Sequence, residues 1–198
     1  MKSVITIGRQ YGSGGREIGK LLAEKYDIPF YDNELLKVAS EHSGIAEQFF
    51  AENDEKPVNS LLYMLSTTYS QDSLPFNHQL FLAQFEAIRR IASEGPCVIV
   101  GRCADYALKD KNNVINVFIH ASMDARLNRA INVYKISAKK AEEYILRQDK
   151  QRAAYYNFYA SRKWGSISNY HISLDSSFIS SEECVEMLSK LIEIKERS

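Results

Sequence analysis

A glycine-rich loop stands directly between an apolar strand and an amphipathic helix. Residues 4–7 form a short β-branched run, and residues 8–17 after it read GRQYGSGGRE. From about Arg16 to Tyr26 apolar residues recur every three or four positions, which predicts a helix with one buried face. Glycines let a backbone wrap an anion, and a helix N-terminus supplies unpaired N–H groups and a positive dipole. Residues 8–17, called the glycine-rich loop below, are therefore a candidate phosphate-binding loop.

The rest of the chain alternates strands with helices. The sequence predicts a short edge strand at 28–31, further strands at 97–100, 116–120 and 170–174, and helices at 77–93, 123–134, 138–159 and from Ser180 onward. Ser137 is expected to be an N-cap, and Ser180 with Glu183 has capping-box spacing. This alternation predicts an α/β fold in which helices cover both faces of a parallel sheet.

Composition limits the partners that such a domain can have. The 198 residues suit a single domain, residues 1–198, and 25 Lys and Arg balance 25 Asp and Glu. A net charge of zero predicts no binding to a nucleic-acid polymer or an anionic membrane, and no apolar run is long enough to span one. Three cysteines without CxxC spacing and an N-terminus without a signal pattern predict a cytoplasmic protein with reduced thiols. The sequence leaves the oligomeric state open.

Three interpretations of the glycine-rich loop compete. It could be a tight turn without a ligand, or a dinucleotide-binding loop, although the G-x-G-x-x-G spacing is absent and only Asp32 could serve the ribose. The P-loop pattern G-x-x-x-x-G-K-[ST] fits better. However, Gly15 or Arg16 stands at the position of its Lys, and Glu17 stands at the position of its Ser or Thr. Arg16 and Arg9 are the nearest candidates to supply the missing positive charge.

Several sequence blocks resemble the cytidylate kinase-like proteins, relatives of the P-loop nucleoside monophosphate kinases. They are ITIGRQYGSGGREIG (5–19), PFYDNEL (29–35), PCVIVGRCADY (96–106), DKQRAAYY (149–156), and WG at 164–165 leading to NY at 169–170. The resemblance implies a P-loop NTPase three-layer sandwich with a helical nucleoside monophosphate-binding insert at about 33–93 and a LID at about 126–165. It also implies transfer of the γ-phosphoryl group of ATP, with Mg²⁺, to a CMP-like acceptor.

Phosphoryl transfer requires positive charge around the transferring group, so arginines are the main candidates. Arg102 follows a buried strand and is the candidate for the acceptor phosphate, while Asp105 could orient Arg102 or help to hold hydrated Mg²⁺. Asp149 and Arg152 share a helix face and could form an ion pair. With what the resemblance implies, the candidate catalytic residues are Arg16, Arg126, Arg129, Arg147 and Arg152; the candidate ATP-binding residues are Gly12, Ser13, Gly14, Gly15, Arg16 and Glu17; and the candidate acceptor-binding residues are Asp32, Arg102, Asp105 and Asp149.

Three positions depart from the family's pattern and bear on the acceptor. Cys103 stands where Gly is usual, residues 166–168 read SIS where Asp-Pro is common, and His171 replaces a common Asp. The aromatic residues 155–159 and Trp164 are interpreted as packing, with base stacking as the alternative, and no residue is assigned as a metal ligand. The leading hypothesis is a nucleoside monophosphate kinase for CMP or dCMP. The alternatives are a non-catalytic nucleotide-binding protein and a kinase for a small molecule that is not a nucleotide.

Overall fold

The computed structural model describes residues 1–32 and 76–197 and contains one parallel five-stranded sheet in this part of the chain. Its strands are β1 (Val4–Arg9), β2 (Phe30–Tyr31), β3 (Val98–Val100), β4 (Val114–His120) and β5 (Ile172–Asp175), in the order β2-β3-β1-β4-β5. The predicted strands are confirmed, with β2 at an edge, while β1 and β4 are each two residues longer than the sequence predicts. Each extension pairs with the predicted part of the other strand, Gly8 with Phe118 and Val114 with Val4.

Helices surround the sheet as the alternation predicts. They are α1 (Gly15–Tyr26), α2 (Phe76–Glu94), α3 (Ala104–Ala107), α4 (Met123–Asn132), α5 (Ala138–Ala160) and α6 (Ser181–Arg197), with a 3₁₀ turn at Ile167–Asn169. The short α3 was not predicted, because four residues are too few to show a helical period. Most of the predicted insert at 33–93 lies outside the described residues, and α2 is its described part.

Buried side chains form separate apolar clusters on the two faces of the sheet. On one face Ile5 and Ile7 of β1 pack with α1 and α6, and on the other Val4 and Ile99 pack with α2 and α3. Alternate residues of β1 therefore point to opposite layers, as the two-residue period of a strand requires. This arrangement is the predicted three-layer sandwich.

The predicted caps give two different outcomes. At α6 the Ser180 N–H donates to Glu183 Oε2 at 2.8 Å and the Glu183 N–H donates to Ser180 Oγ at 3.1 Å, so the capping box is confirmed. Ser137 does occupy the N-cap of α5, but its side chain makes no capping hydrogen bond. No helix in the described ranges is long and apolar enough to cross a membrane.

Candidate active site

The glycine-rich loop passes from β1 into α1 with two glycines in the left-handed region. Gly12 has φ +79° and Gly14, the N-cap of α1, has φ +75°. A Cβ on Gly14 would lie 2.8 Å from Cζ of Arg129, and one on Gly12 would lie 2.9 Å from the carbonyl oxygen of Arg126. Both positions therefore require glycine for backbone conformation and for space. The same contacts show that α4 packs directly on the loop.

Helices α4 and α5 hold the glycine-rich loop through the backbone of Tyr11. Arg126 Nε donates to the Tyr11 carbonyl oxygen at 2.7 Å, and the Tyr11 N–H donates to Asp149 Oδ1 at 2.7 Å. Arg126 and Asp149 also form an ion pair with each other. Arg152, one turn further along α5, donates from Nη1 to the Arg9 carbonyl oxygen at 3.0 Å. The predicted LID helices are thus bonded to the loop at three backbone groups.

Two arginines near the N-terminus of α1 turn in different directions. Arg129 reaches from α4, lies against Gly14 and forms an ion pair with Glu17. Arg16 is largely exposed and turns towards β2, where Nε donates to Asp32 Oδ2 at 2.6 Å. Arg129, from a distant part of the chain, is therefore the arginine whose guanidinium lies against Gly14, whereas the sequence indicated Arg16 and Arg9 as the nearest candidates.

A cavity of about 560 Å³ opens beside the glycine-rich loop at the carboxyl ends of β1 and β3. Open parallel sheets bind ligands at this edge. The cavity is lined by the described residues Thr6, Ile7, Gly8, Arg9, Asp32, Val100, Gly101, Arg102, Cys103, Asp105, Gln148, Gln151, Arg152, Tyr155, Tyr156, Trp164 and Tyr170. Its volume lies within the usual range for small-molecule sites. The cavity is the candidate acceptor site.

One end of this cavity concentrates guanidinium groups. Arg9, Arg102 and Arg152 all line it, and the Asp32 carboxylate lies 3.7 Å from Arg9 Nη2 while it also pairs with Arg16. Burial, together with the charge of Arg152, lowers the pKa of Arg9 to about 10, while Asp32 opposes the shift. Burial also lowers the pKa of Arg152. Because a guanidinium keeps its charge at neutral pH in proteins, this end carries more positive than negative charge.

The other end of the cavity contains a buried carboxyl group and phenol hydroxyls. Tyr156 Oη donates to Asp105 Oδ2 at 2.5 Å, and both residues are buried. Burial raises the pKa of Asp105, although this hydrogen bond opposes the shift. The Tyr170 ring packs across Gly8. Its buried hydroxyl lies near Tyr156 and the Gly165 N–H, but the geometry does not allow a hydrogen bond to either group. This end is polar with little net positive charge, so the cavity is electrostatically asymmetric.

The structure brings many of the predicted site residues together, with different partners from those expected. Asp32, Arg102, Asp105 and Arg152 line the cavity. Asp105 is hydrogen-bonded to Tyr156 rather than to Arg102. Asp149 forms its ion pair with Arg126, so the predicted ion pair between Asp149 and Arg152 is not the one that forms in the described part of the chain. In each case tertiary packing brings a partner from another element closer than the neighbour in sequence.

The remaining predicted arginines differ in position. Arg126 is buried between the loop and α5, where it braces the backbone and does not line the cavity. Arg147 is exposed, and its Cζ lies 5.1 Å from the ring centre of Tyr144, which itself packs against Tyr11. The structure therefore does not bring Arg147 to the cavity or to the backbone of the glycine-rich loop.

Sequence reasoning found Arg152 but missed the rest of the α5 face that lines the cavity. The full face consists of Gln148, Gln151, Arg152, Tyr155 and Tyr156. Their spacing of three and four residues is the signal that could have found them, because it puts polar and aromatic groups on one helix face. Tyr155, Tyr156 and Trp164 pack in one cluster, as the sequence predicts, and they also line the cavity.

Comparison with known proteins identifies the family of this site. The sequence model of the cytidylate kinase-like family matches residues 4–178, which is most of the chain. The chain belongs to the cytidylate kinase-like family. A crystal structure of an uncharacterized protein from Eubacterium ventriosum ATCC 27560 is 30% identical, with TM-score 0.75, over 97% of this chain and 99% of that one. The search of curated proteins found no match.

More distant solved structures share the fold of this cytidylate kinase-like protein. Shikimate kinase from Bacteroides thetaiotaomicron is 16% identical, with TM-score 0.56, over 98% of this chain and 99% of that one. A gluconokinase from Sinorhizobium meliloti 1021 is 16% identical, with TM-score 0.52, over 97% and 94%. The P-loop kinase fold is therefore shown, and family and fold together indicate a phosphotransferase that uses a nucleotide.

Proposed function

We propose that this cytidylate kinase-like protein transfers the γ-phosphoryl group of ATP to a nucleoside monophosphate, with CMP or dCMP as the preferred acceptor. The observation that carries the proposal is the cationic end of the cavity. Arg9, Arg102 and Arg152 converge there beside the glycine-rich loop, with Asp32 as the nearby carboxylate. The three arginines are only partly exposed and so lose part of their hydration, and an anion that binds there gains charge-assisted hydrogen bonds.

The net positive charge at the cationic end of the cavity favours a phosphate ester over a carboxylate as the ligand. Three lining guanidiniums face the single carboxylate of Asp32, an excess of about two positive charges before Arg16, which also pairs with Asp32, is counted. A phosphomonoester carries about −1.5 to −2 at neutral pH and offers three acceptor oxygens. The acceptor phosphate of a nucleoside monophosphate therefore matches this end better than a single carboxylate does.

The uncharged part of the cavity lining suits a nucleoside. Gln148 and Gln151 offer amide donors and acceptors, and Tyr155, Tyr156 and Trp164 offer aromatic surface. A nucleoside needs hydrogen-bonding groups and aromatic surface within a few ångströms of each other, because it consists of a base and a sugar. A simple phosphate or a small sugar phosphate would leave much of the volume of about 560 Å³ unfilled.

ATP fits the opposite side of the glycine-rich loop. The loop that contains Gly12 and Gly14 leads into α1, whose first N–H groups have no acceptor within the helix, as at any helix N-terminus. Arg129 against Gly14 is our candidate for the charge that a P-loop lysine supplies, and Arg152 between the loop and the cavity is our candidate for the transferring phosphoryl group.

Mg²⁺ fits this donor set as an ion carried by the nucleotide. The described residues contain no cluster of three metal-binding side chains, and Mg²⁺ in such sites takes one or two carboxylates together with phosphate oxygens and water. Glu17 would hold it, because its carboxylate lies in the first turn of α1 and is half exposed. When bound, the ion would neutralise charge on the phosphate oxygens.

The test is acceptor-dependent ADP formation from ATP and Mg²⁺. We would measure it with CMP, dCMP, UMP, AMP and GMP, with shikimate and gluconate as acceptors of the structurally similar kinases, and without acceptor. We expect turnover with the nucleoside monophosphates, strongest with CMP or dCMP. Turnover with a non-phosphorylated acceptor alone would refute the acceptor class. ATP binding without turnover on any acceptor would favour a nucleotide-binding protein.

A paired substitution separates the two arginines near α1. Arg129→Ala is expected to raise KM for ATP about tenfold, equivalent to about 1.4 kcal/mol, because it removes the guanidinium beside Gly14. Arg16→Ala is expected to change KM for ATP less and to act on KM for the acceptor, because Arg16 pairs with Asp32 at the cavity. A larger effect of Arg16→Ala on ATP would instead assign the missing lysine's role to Arg16.

A further inference from the structure

The turn that carries Arg102 has an unusual backbone. Gly101, Arg102 and Cys103 have φ values of +81°, +56° and +56°, so three consecutive residues lie in the left-handed region. Two of the three carry a Cβ, which disfavours this region. Such a conformation persists only where the surrounding structure holds it, and it is concentrated at functional sites. The turn follows β3 and places Arg102 in the wall of the cavity.

The beginning and the end of the turn are held by backbone hydrogen bonds. The Gly101 N–H donates to the Ile7 carbonyl oxygen of β1 at 3.0 Å, which fixes the start on the central strand. The Ala104 N–H donates to the Gly101 carbonyl oxygen at 3.1 Å, and the Ala107 N–H donates to the Cys103 carbonyl oxygen at 2.9 Å. These bonds close the turn onto α3, but none of them reaches from another layer of the fold.

Helix α5 holds the same turn by side chains. The buried Cys103 packs in a cluster with Tyr156 and Ala160 of α5, and the Tyr156 hydroxyl donates to the Asp105 carboxyl group at 2.5 Å. Asp105 is two residues beyond Cys103 and 7% exposed, so this bond lies in a site from which water is almost excluded. Its loss would leave a buried carboxyl group with one acceptor unpaired.

We propose that Tyr156 and Asp105 are positioning residues that hold the Gly101–Cys103 turn in its left-handed conformation and so direct Arg102 into the cavity. This inference rests on the proposed function of the cavity. Tyr156 lies one turn of helix from Arg152, which contacts the glycine-rich loop through the Arg9 carbonyl oxygen. One face of α5 thereby sets the positions of both arginines, Arg152 directly and Arg102 through Asp105.

The first test needs no ligand. Cys97, Cys103 and Cys184 are all buried, and burial raises the pKa of Cys103 to about 12, so each thiol should react slowly with a thiol reagent such as dithionitrobenzoate. In Tyr156→Phe we expect Cys103 to react at least tenfold faster, located by peptide mapping, with Cys97 and Cys184 changed less than twofold. Equal acceleration of all three thiols, or of none, would overturn the proposal, because the first indicates global loosening and the second an intact turn.

The second test measures the acceptor. Trp164 is the one tryptophan of the sequence and lines the cavity, so its fluorescence can report CMP binding. Tyr156→Phe is expected to weaken CMP binding about tenfold or more, with KM for ATP changed less than twofold. Asp105→Asn keeps an oxygen that can accept from the Tyr156 hydroxyl, so in this variant Cys103 should stay as slow to react with the thiol reagent as in the wild type. Tyr106→Phe removes a neighbouring hydroxyl of the same aromatic cluster and is the matched control.

The two tests separate failure of this inference from failure of the proposed function. If the wild type binds no nucleoside monophosphate but Cys103 alone becomes reactive in Tyr156→Phe, the link to the turn stands and the proposed acceptor is wrong. If the wild type binds CMP and Tyr156→Phe binds it equally well, the positioning role is refuted and the proposed acceptor stands.

Discussion

Replacing Arg152 by alanine is expected to lower kcat about 1000-fold, the largest effect of any substitution considered for this chain. Arg152 lines the acceptor cavity and donates to the Arg9 carbonyl oxygen at the start of the glycine-rich loop, so it lies between the two proposed substrates. Its guanidinium is mostly buried. At such a site, water screens little of the attraction between the guanidinium and a transferring phosphoryl group. Removing one such preorganised donor typically costs about 100- to 1000-fold in kcat.

Three control measurements distinguish a catalytic role of Arg152 from a structural one. Arg152→Lys should recover only part of the rate, because an ammonium lacks the planar fork of donors. Lys150→Ala, an exposed cation on the same helix, should leave kcat within twofold. Thermal unfolding of Arg152→Ala should show a single transition near that of the wild type. A kcat for folded Arg152→Ala within tenfold of the wild type would remove Arg152 from the reaction.

Arg102→Ala is expected to raise KM for CMP about 100-fold, which corresponds to about 2.8 kcal/mol at 1.4 kcal/mol for each factor of ten. The turn after β3 directs this residue into the cationic end of the cavity, where a phosphate would accept charge-assisted hydrogen bonds from it. Arg126, Asp149 and Arg152, and not Arg102, hold the glycine-rich loop, so KM for ATP in Arg102→Ala should stay within threefold of the wild-type value.

The split between the two KM values distinguishes this role from a structural one. A damaged fold would raise both values, whereas loss of one acceptor contact raises only the value for CMP. Lys109→Ala, an exposed cation beyond α3, serves as the control for charge near the turn. An unchanged KM for CMP in Arg102→Ala would assign the acceptor phosphate to Arg9 and Arg152 alone.

The sheet and the location of the site could be predicted from sequence because their signals are local. Apolar β-branched runs ended by glycine predicted β1 and β3, and the glycine-rich loop predicted where β1 passes into α1. Arg102 and Asp32 follow strands, and the carboxyl ends of parallel strands share one edge, so their proximity also followed from topology.

The partners of the site residues could not be predicted, because they join distant parts of the chain. Arg129 pairs with Glu17 across 112 positions, and Arg126 and Asp149 meet over the Tyr11 backbone. Helical spacing alone suggested Asp149 with Arg152, but Arg152 turns to the loop instead. The left-handed turn at Gly101–Cys103 has no local sequence signal either, since Arg and Cys do not favour that conformation.

The most direct test of the central claim is transfer of label from [γ-³²P]ATP to CMP in the presence of Mg²⁺, with product separated by chromatography. The account predicts labelled CDP with the wild type, and almost none with Arg152→Ala at the same protein concentration. Labelled inorganic phosphate without labelled CDP, although CMP binds beside Trp164, would contradict it, because the cavity would then hold a ligand that is not the phosphoryl acceptor.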